Sequence, residues 1–212
     1  MLLSALALAA VPLGAAAAQP HANIFMLLTD DQDVTLGGLD GHAHGIPYKP
    51  GPNPMPQLKK YLTEQGTTFS NAFVHTPICC PSRSSYMTGR YLHNSGTFEN
   101  DIGHGCSNQT WADGPETRSF AAHAKAAGYH TSYSGKYLNQ YAMPGAPGCM
   151  AGDKAGCAKH IPVGWDDWHG LFGNSRYYNG TISDNGVPTE HGDTPADYLP
   201  DVFFVIIPTA SS

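Results

Sequence analysis

The residues best suited to chemistry stand together between positions 79 and 90, where the chain reads CCPSRSSYMTGR. Proline is favoured in the first turn of a helix, so the pattern predicts a helix that begins near Pro81 and carries Arg83 in its first turn. A helix N-terminus favours anions, and a guanidinium adds a fixed positive charge. The pattern therefore predicts an anion site beside a reactive cysteine, Cys79. From these residues alone, a pair of disulfide anchors beside an ordinary helix start is equally compatible.

Two adjacent carboxylates form a second candidate site. Asp30 and Asp31 follow residues 22–28, which read ANIFMLL and predict a strand buried on both faces of a parallel sheet. In open α/β sheets, ligands bind at the carboxyl ends of such strands. The alternative is a solvated turn between a strand and a loop.

Alternating helix and strand patterns must position these side chains. Residues 57–65 predict a short helix and residues 67–74 a strand. Residues 119–127 predict a helix ended by Gly128, and residues 129–134 predict a strand that leads into Gly135 and Lys136. This alternation indicates an α/β sheet. Two stretches show little regular pattern: residues 37–56, rich in Gly, His and Pro, and residues 141–164, which Cys149 and Cys157 are expected to link.

Composition limits the possible functions. The 212 residues include 11 Lys and Arg against 17 Asp and Glu, giving a formal charge of −6, and 41% of them are hydrophobic. General disorder is therefore excluded, and no basic footprint for nucleic acid is present. One domain, or part of a larger one, is expected at this length.

The amino terminus predicts export. Residues 1–18 form an apolar run that ends in small residues, as a cleaved signal peptide does, although a short membrane anchor is the alternative. Because Pro12 and Gly14 interrupt the run and it is short for a bilayer, no stable membrane span is expected. Asn108 and Asn179 begin glycosylation sequons. Five cysteines leave one unpaired if disulfides form.

Residues 79–90 resemble the first signature of the sulfatases, C-x-P-S-R followed by T-G-R, with Tyr86 as a mild departure. Residues 128–138, GYHTSYSGKYL, resemble the second signature of the family. Asp30 and Asp31 are a third match to the family pattern. The resemblance covers approximately residues 23–202 and implies an alkaline-phosphatase-like α/β fold with a central, mostly parallel sheet flanked by helices. Segments such as SGKYLNQY and NSRYYNGT resemble those of N-acetylglucosamine-6-sulfatases and heparan 6-O-endosulfatases.

This resemblance implies a role for each matched residue. Cys79 would be oxidised by the formylglycine-generating enzyme to formylglycine (3-oxoalanine), whose hydrated aldehyde attacks sulfur. Asp30 and Asp31 would form, with the modified Cys79, half of a Ca²⁺ site. Arg83 would hold these groups in place and Lys136 would bind a sulfate oxygen. Many sulfatases have a histidine two residues after this lysine, where this chain has Leu138, as glucosamine-6-sulfatase-like members also do.

The expected substrate is a sulfated glycan, in particular 6-O-sulfated glucosamine of glycosaminoglycans, in the lysosome or outside the cell. With Cys79 modified, four cysteines remain, and they allow three pairings. Phosphoryl transfer on the same fold would call for serine or threonine as the nucleophile, so the cysteine argues against it.

The resemblance also implies a second metal pair, a histidine and usually another lysine from a later part of the family pattern. Residues 183–186 (SDNG) look like that pair, but residues 180–182 are not the apolar strand that precedes it in the family, so we reject this match. Residues 19–212 are therefore expected to be an incomplete sulfatase N-terminal domain with little or no activity. The alternative is a non-catalytic fragment that binds sulfated glycans. An apolar run at 201–207 would need neighbours on both faces if it were a strand, although the resemblance places a helix after residue 199.

Overall fold

The structure is a computed structural model that describes residues 22–32, 55–69 and 71–206. Its helices are α1 (Pro56–Leu58, continued by the π-helical turn Lys59–Thr63), α2 (Cys79–Thr88), α3 (Leu92–Ser95), α4 (Gln109–Asp113), α5 (Phe120–Ala126), α6 (Lys154–Ala158) and α7 (Leu199–Ile206). Its strands are β1 (Ser132–Lys136), β2 (Asp167–Leu171), β3 (Thr181–Asp184) and β4 (Val187–Glu190), and three 3₁₀ turns span Ile102–His104, Pro115–Arg118 and Pro195–Asp197.

One four-stranded sheet of order β1-β2-β3-β4 supports the fold. β1 and β2 run parallel, with Lys136 opposite Leu171, whereas the other two pairings are antiparallel. β3 and β4 are joined by Asn185 and Gly186, whose φ angles of 47° and 88° match the two-residue hairpin turn that suits the twist of a strand pair. The α/β class expected from the sequence is confirmed, and within the described residues the sheet is mixed.

A cluster of aromatic rings forms the main core beside β1 and β2. Trp168 is fully buried; Tyr133 stacks on it at 4.8 Å between ring centroids, and Tyr137 and Tyr141 meet it edge-on at 5.2 and 5.3 Å. Its indole Nε1 donates to the Tyr141 hydroxyl over 2.7 Å, so the polar atom of the ring is also satisfied. Because Tyr133 and Tyr137 flank Lys136, this packing fixes the carboxyl end of β1.

Several predicted elements are confirmed. A helical segment covers Pro56–Leu58 and Lys59–Thr63, overlapping the helix predicted at 57–65. α5 begins after Ser119, whose side chain caps it by accepting from the backbone N–H of Ala122, and ends before Gly128. The strand predicted at 129–134 is β1, shifted toward Lys136. Cys149 and Cys157 form a disulfide.

Two predicted strands are wrong. The described residues of the runs 22–28 and 67–74 lie outside the sheet, and their large apolar side chains are exposed, from 47% at Leu28 to 88% at Phe73. An apolar run becomes a buried strand when other strands pair with its edges and layers cover its faces. None of the four strands in the described part of the chain pairs with either run. The apolar segment at 201–206 belongs to the helix α7.

Some expectations fall outside the described residues, namely the signal peptide at 1–18 and most of the loop at 37–56. Within the described ranges, no helix combines the length and the apolar composition that a membrane crossing requires.

Candidate active site

The amino end of α2 places Cys79 at the site. The helix begins at Cys79 itself, two residues before the proline, after Ile78 in an extended conformation. No side chain of the preceding residue caps it; instead the backbone N–H of Cys80 donates to Asn100 Oδ1 over 2.8 Å. Cys80 is joined to Cys106 by a disulfide, and Cys79 is the free cysteine. Disulfide anchoring and a free thiol therefore occupy adjacent residues.

Arg83 lies one helical turn after Cys79 and is nearly buried, with 7% of its side chain exposed. Its Nη1 donates to the carbonyl oxygens of Lys136, over 2.6 Å, and Tyr137, over 3.2 Å. Its Nη2 donates to Asp30 Oδ1 over 3.3 Å. The guanidinium therefore connects α2, the end of β1 and the segment that carries Asp30, and its five donors in a rigid fork suit this role.

Lys136, the last residue of β1, is a second nearly buried cation, with 7% of its side chain exposed. Its Nζ lies 3.1 Å from Asp30 Oδ2 and 3.3 Å from Asp30 Oδ1. The hydroxyl of Tyr133 donates to the Lys136 carbonyl oxygen, which also accepts from Arg83. Burial raises the pKa of Tyr133 well above its usual value, so the phenol keeps the proton that it donates.

Asp30 is the carboxylate on which both cations converge, and Ser175 Oγ also donates to it. Partial burial raises the pKa of Asp30, but the hydrogen bonds from Ser175 and Lys136 and the charges of Lys136 and Arg83 outweigh it, so that the pKa lies below 3.8. Asp30 is therefore ionised at neutral pH.

Asp30, Asp31 and Cys79 each offer one potential ligand atom, and these three atoms lie within 4.8 Å of one another. Carboxylate oxygens are the ligands that hard divalent cations such as Ca²⁺ prefer. The oxygen-bearing side chains thus fit such a cation, although Ca²⁺ takes about six to eight oxygen ligands, more than these residues supply.

Two nearly buried cations stand beside the carboxylates of this site. In the described part of the chain, the ion pairs of Arg83 and Lys136 are both with Asp30, and a carboxylate oxygen of Asp31 lies within 4.8 Å of one of Asp30. Charged N–H donors such as those of lysine and arginine form strong hydrogen bonds with anionic oxygens. The arrangement can therefore bind an anion between the start of α2 and the end of β1.

Sequence reasoning missed Ser175 and Tyr133. Ser175 is 145 residues from Asp30 along the chain, and neither its type nor its spacing indicates a contact. Tyr133 lies inside the second signature. Its role follows only from the fold, in which its hydroxyl and Arg83 donate to the same carbonyl oxygen, that of Lys136.

The rejected match at 183–186 lies elsewhere. Asp184 ends β3, and Asn185 begins the hairpin turn and accepts from the backbone N–H of Trp168 over 2.8 Å. Trp168 is near the amino end of β2, whereas Lys136 lies at the carboxyl end of the parallel strand β1. Asp184 and Asn185 therefore stabilise the hairpin and its contact with β2, and they are not part of the site.

Two cations, a carboxylate pair and a free thiol thus meet where the carboxyl end of β1 lies beside the amino end of α2. The profile of the Sulfatase family matches residues 22–190, and the chain belongs to the sulfatase family.

The chain is similar to several sulfatases of known name. It is 39% identical over 191 residues to the human N-acetylglucosamine-6-sulfatase, covering 89% of this chain and 31% of that protein. It is 41% identical over 181 residues to the extracellular sulfatase SULF-1 homolog of Drosophila melanogaster, covering 85% and 14%. An arylsulfatase of Volvox carteri is 30% identical over 177 residues, covering 82% and 24%. No solved structure matches. The chain thus spans less than a third of the length of these relatives.

Proposed function

We propose that this chain carries the nucleophile-bearing part of a sulfuric ester hydrolase acting on 6-O-sulfated glucosamine in glycosaminoglycans. The observation that carries the proposal is the convergence of Arg83 and Lys136 on Asp30 beside the free Cys79. A sulfate ester is an anion, and the charged N–H donors of these two cations suit anionic oxygens. The sugar is proposed from the printed names of the relatives, which include N-acetylglucosamine-6-sulfatases.

The chain's own residues would divide the work as follows. Lys136, whose Nζ is a compact charge, would bind a sulfate oxygen. Arg83 would keep Asp30 and the end of β1 in register with α2, since its guanidinium already donates to both. Ser175 would orient the Asp30 carboxylate through its hydrogen bond. Cys79 would supply the nucleophile from the first turn of α2, where backbone N–H groups favour negative charge.

Two groups complete the proposed chemistry. Formylglycine formed from Cys79 by the formylglycine-generating enzyme would supply a hydrated aldehyde as the nucleophile. A divalent cation, proposed as Ca²⁺, would polarise the sulfate group. Asp30, Asp31 and the modified Cys79 would hold this cation, since their ligand atoms are already within 4.8 Å of one another.

We further propose that residues 19–212 by themselves turn substrate over slowly or not at all. The described side chains offer a cation three ligands, fewer than Ca²⁺ takes, so the cation would bind weakly. The same observation favours a second candidate function, the binding of sulfated glycans without turnover, because Arg83 and Lys136 do not depend on the cation for their charge.

The proposed setting is the secretory pathway, leading to the lysosome or the cell exterior, after removal of residues 1–18. Asn108 and Asn179 are the proposed glycan attachment sites, and they differ in the folded chain. Asn108 caps α4, and its Nδ2 donates to the Ile102 carbonyl over 2.9 Å, whereas Asn179 is exposed.

Mass spectrometry and calorimetry test the proposal. The full chain, expressed with the formylglycine-generating enzyme, should lose sulfur at Cys79 and keep it at Cys80. Glucosamine-6-sulfate should bind the wild-type chain, and Lys136→Ala should weaken this binding by about tenfold or more, the value of a charged hydrogen bond. Lys159→Ala, an exposed lysine, is the matched control. An equal affinity of the Lys136 and Lys159 variants would contradict the proposal, and rapid turnover of a sulfated aryl ester by residues 19–212 would contradict the expected inactivity.

A further inference from the structure

The loop that reaches the site through Ser175 also carries a group of tyrosines with no role in the proposed chemistry. Tyr177 and Tyr178 lie two and three residues after Ser175, and both contact the ring of Tyr198, which lies just before α7. Tyr177 stacks on Tyr198 with centroids 5.9 Å apart and planes 19° apart, and Tyr178 lies 5.5 Å from it at 43°. We call Tyr177, Tyr178 and Tyr198 the tyrosine cluster.

The cluster presents an exposed aromatic surface. Tyr177 is 69% exposed and Tyr178 39%, whereas Tyr198 is half-buried beneath them. The backbone also fixes the loop, because the N–H of Leu199 donates to the Tyr177 carbonyl over 2.8 Å and Leu199 itself is fully buried. A surface of exposed rings on a fixed backbone loses little conformational freedom when a ligand covers it.

The position of the cluster relates it to the site. Ser175 donates to Asp30, and Tyr177 is two residues further along, so their Cα atoms are at most about 7 Å apart. Arg176 lies between them, exposed, and its Nη1 makes a 3.4 Å hydrogen bond to the Asn179 carbonyl. The loop that donates to Asp30 thus carries a cation and an aromatic surface within three residues of Ser175.

We propose that the tyrosine cluster and Arg176 form a saccharide subsite for the sugar adjacent to the one whose sulfate enters the site; this inference rests on the proposed function. Sugar rings carry apolar C–H faces, which pack against the electron-rich faces of aromatic rings. Arg176 suits a sulfate or carboxylate on that adjacent sugar, since a guanidinium matches both in geometry. The ligand class is an anionic hexosamine polysaccharide.

Binding of two hexasaccharides to the full chain tests the inference. One is a heparan-type hexasaccharide with 6-O-sulfated glucosamine, and the other is the same compound after 6-O-desulfation. All proteins carry Thr181→Ala, which removes the sequon at Asn179 so that no attached glycan covers the cluster. The test variant is Tyr177→Ala. Tyr91→Ala is the matched control, because Tyr91 is 62% exposed and follows the far end of α2 from Cys79.

Tyr177→Ala is expected to weaken binding of both hexasaccharides by about fivefold, the scale of one aromatic contact, and Tyr91→Ala to leave both unchanged. Lys136→Ala is expected to weaken binding of the 6-O-sulfated hexasaccharide more than binding of the desulfated one. Unchanged affinity of Tyr177→Ala for both compounds overturns the subsite, even where the Lys136 effect supports the proposed function. If Tyr177→Ala weakens binding of both hexasaccharides but Lys136→Ala does not discriminate between them, the result supports the subsite and contradicts the proposed sulfate site.

Two further outcomes also overturn the inference. One is that the Thr181→Ala chain binds neither hexasaccharide. The other concerns a second pair of proteins that keep Thr181 and the glycan at Asn179: Tyr177→Ala changes the thermal stability of this glycosylated chain alone, with no change in hexasaccharide affinity. That result would assign the cluster to the chain's own glycan.

Discussion

Asp30 is the carboxylate at which both cations of the site meet. It accepts hydrogen bonds from Lys136, Arg83 and Ser175, which come from three different elements of the chain. Its two cationic partners are nearly buried, so removal of the carboxylate charge leaves them unpaired in a poorly solvated place. Asp30 therefore contributes to stability as well as to the proposed metal site.

Asp30→Asn is expected to lower the free energy of unfolding at pH 7 by about 1–2 kcal/mol, since the side chain is partly exposed and water screens part of the interaction. The folded pKa of Asp30 is lowered below 3.8, so the contribution is fully present above about pH 4 and is lost as the pH falls through the folded pKa. The difference between wild type and variant should therefore shrink below about pH 4. Urea unfolding from pH 7 to pH 3, with the exposed Asp193→Asn as control, measures it. A difference that stays constant down to pH 3 would contradict the prediction.

At the scale of elements, α5 packs directly on the turn before β2. Gly164 has a φ of +102°, and a Cβ there would lie 2.3 Å from the backbone nitrogen of Ala122. The Gly164 carbonyl also accepts from the Thr131 hydroxyl just before β1. Because the close atoms belong to the backbone of a capped helix, they have little freedom to move away.

Gly164→Ala is accordingly expected to destabilise the chain by more than about 2 kcal/mol, from left-handed strain and backbone overlap together. Gly152→Ala is the matched control, because Gly152 has a φ of +84° but open space around the added Cβ. It should lose about 1 kcal/mol from backbone strain alone. Denaturant titrations give both values, and equal losses would show that α5 is not packed this closely.

The two disulfides anchor different elements. Cys80–Cys106, with a sequence separation of 26, fixes the amino end of α2, whereas Cys149–Cys157, with a separation of 8, closes a loop remote from Cys79 in sequence. In the loop-entropy account, removing them costs about 3.5 and about 2.5 kcal/mol respectively.

Each disulfide can be removed by replacing both of its cysteines with alanine. Compared with the variant without Cys149–Cys157, the variant without Cys80–Cys106 should be destabilised more. That double variant should also speed alkylation of Cys79, because α2 then begins less rigidly, while the Cys149–Cys157 variant leaves the rate unchanged. Urea titration and timed alkylation followed by peptide mass spectrometry measure the two effects. A larger rate change in the Cys149–Cys157 variant would refute the assignment.

At the scale of the whole molecule, the described residues expose a large apolar surface. Phe25 is 70% exposed, Leu27 64% and Phe73 88%, and they belong to the two runs that predict strands. Exposed patches of this kind favour association with other surfaces. The chain is therefore expected to bind hydrophobic dyes and to self-associate as its concentration rises.

Phe25→Asp should reduce dye binding and self-association with little change in the melting temperature, because the side chain has few packing contacts to lose. Dye fluorescence, sedimentation velocity and thermal unfolding provide the three measurements, with Tyr91→Asp as a control of similar exposure. A large fall in melting temperature for Phe25→Asp would mean that residues 22–28 are packed in a core, contrary to the structure.

Local patterns in the sequence were sufficient for several features. The helix within residues 119–127, the stop at Gly128 and the strand that leads to Lys136 depend on neighbours in the chain, so they could be predicted. Cysteine parity indicated one unpaired residue, and the resemblance identified it as Cys79. The sulfatase family was also evident from three short motifs in order.

Tertiary structure decided what neighbours in sequence cannot specify. Asp30 and Lys136 are 106 residues apart in the sequence. Ser175 donates a hydrogen bond to Asp30 from a loop that no motif marks as part of the site. Likewise, residues 22–28 have the composition of a buried strand, yet whether such a run pairs depends on strands elsewhere in the molecule. Propensity acts over a few residues, whereas pairing and ion-pair geometry depend on which distant segments come together, and for this reason only the fold could determine them.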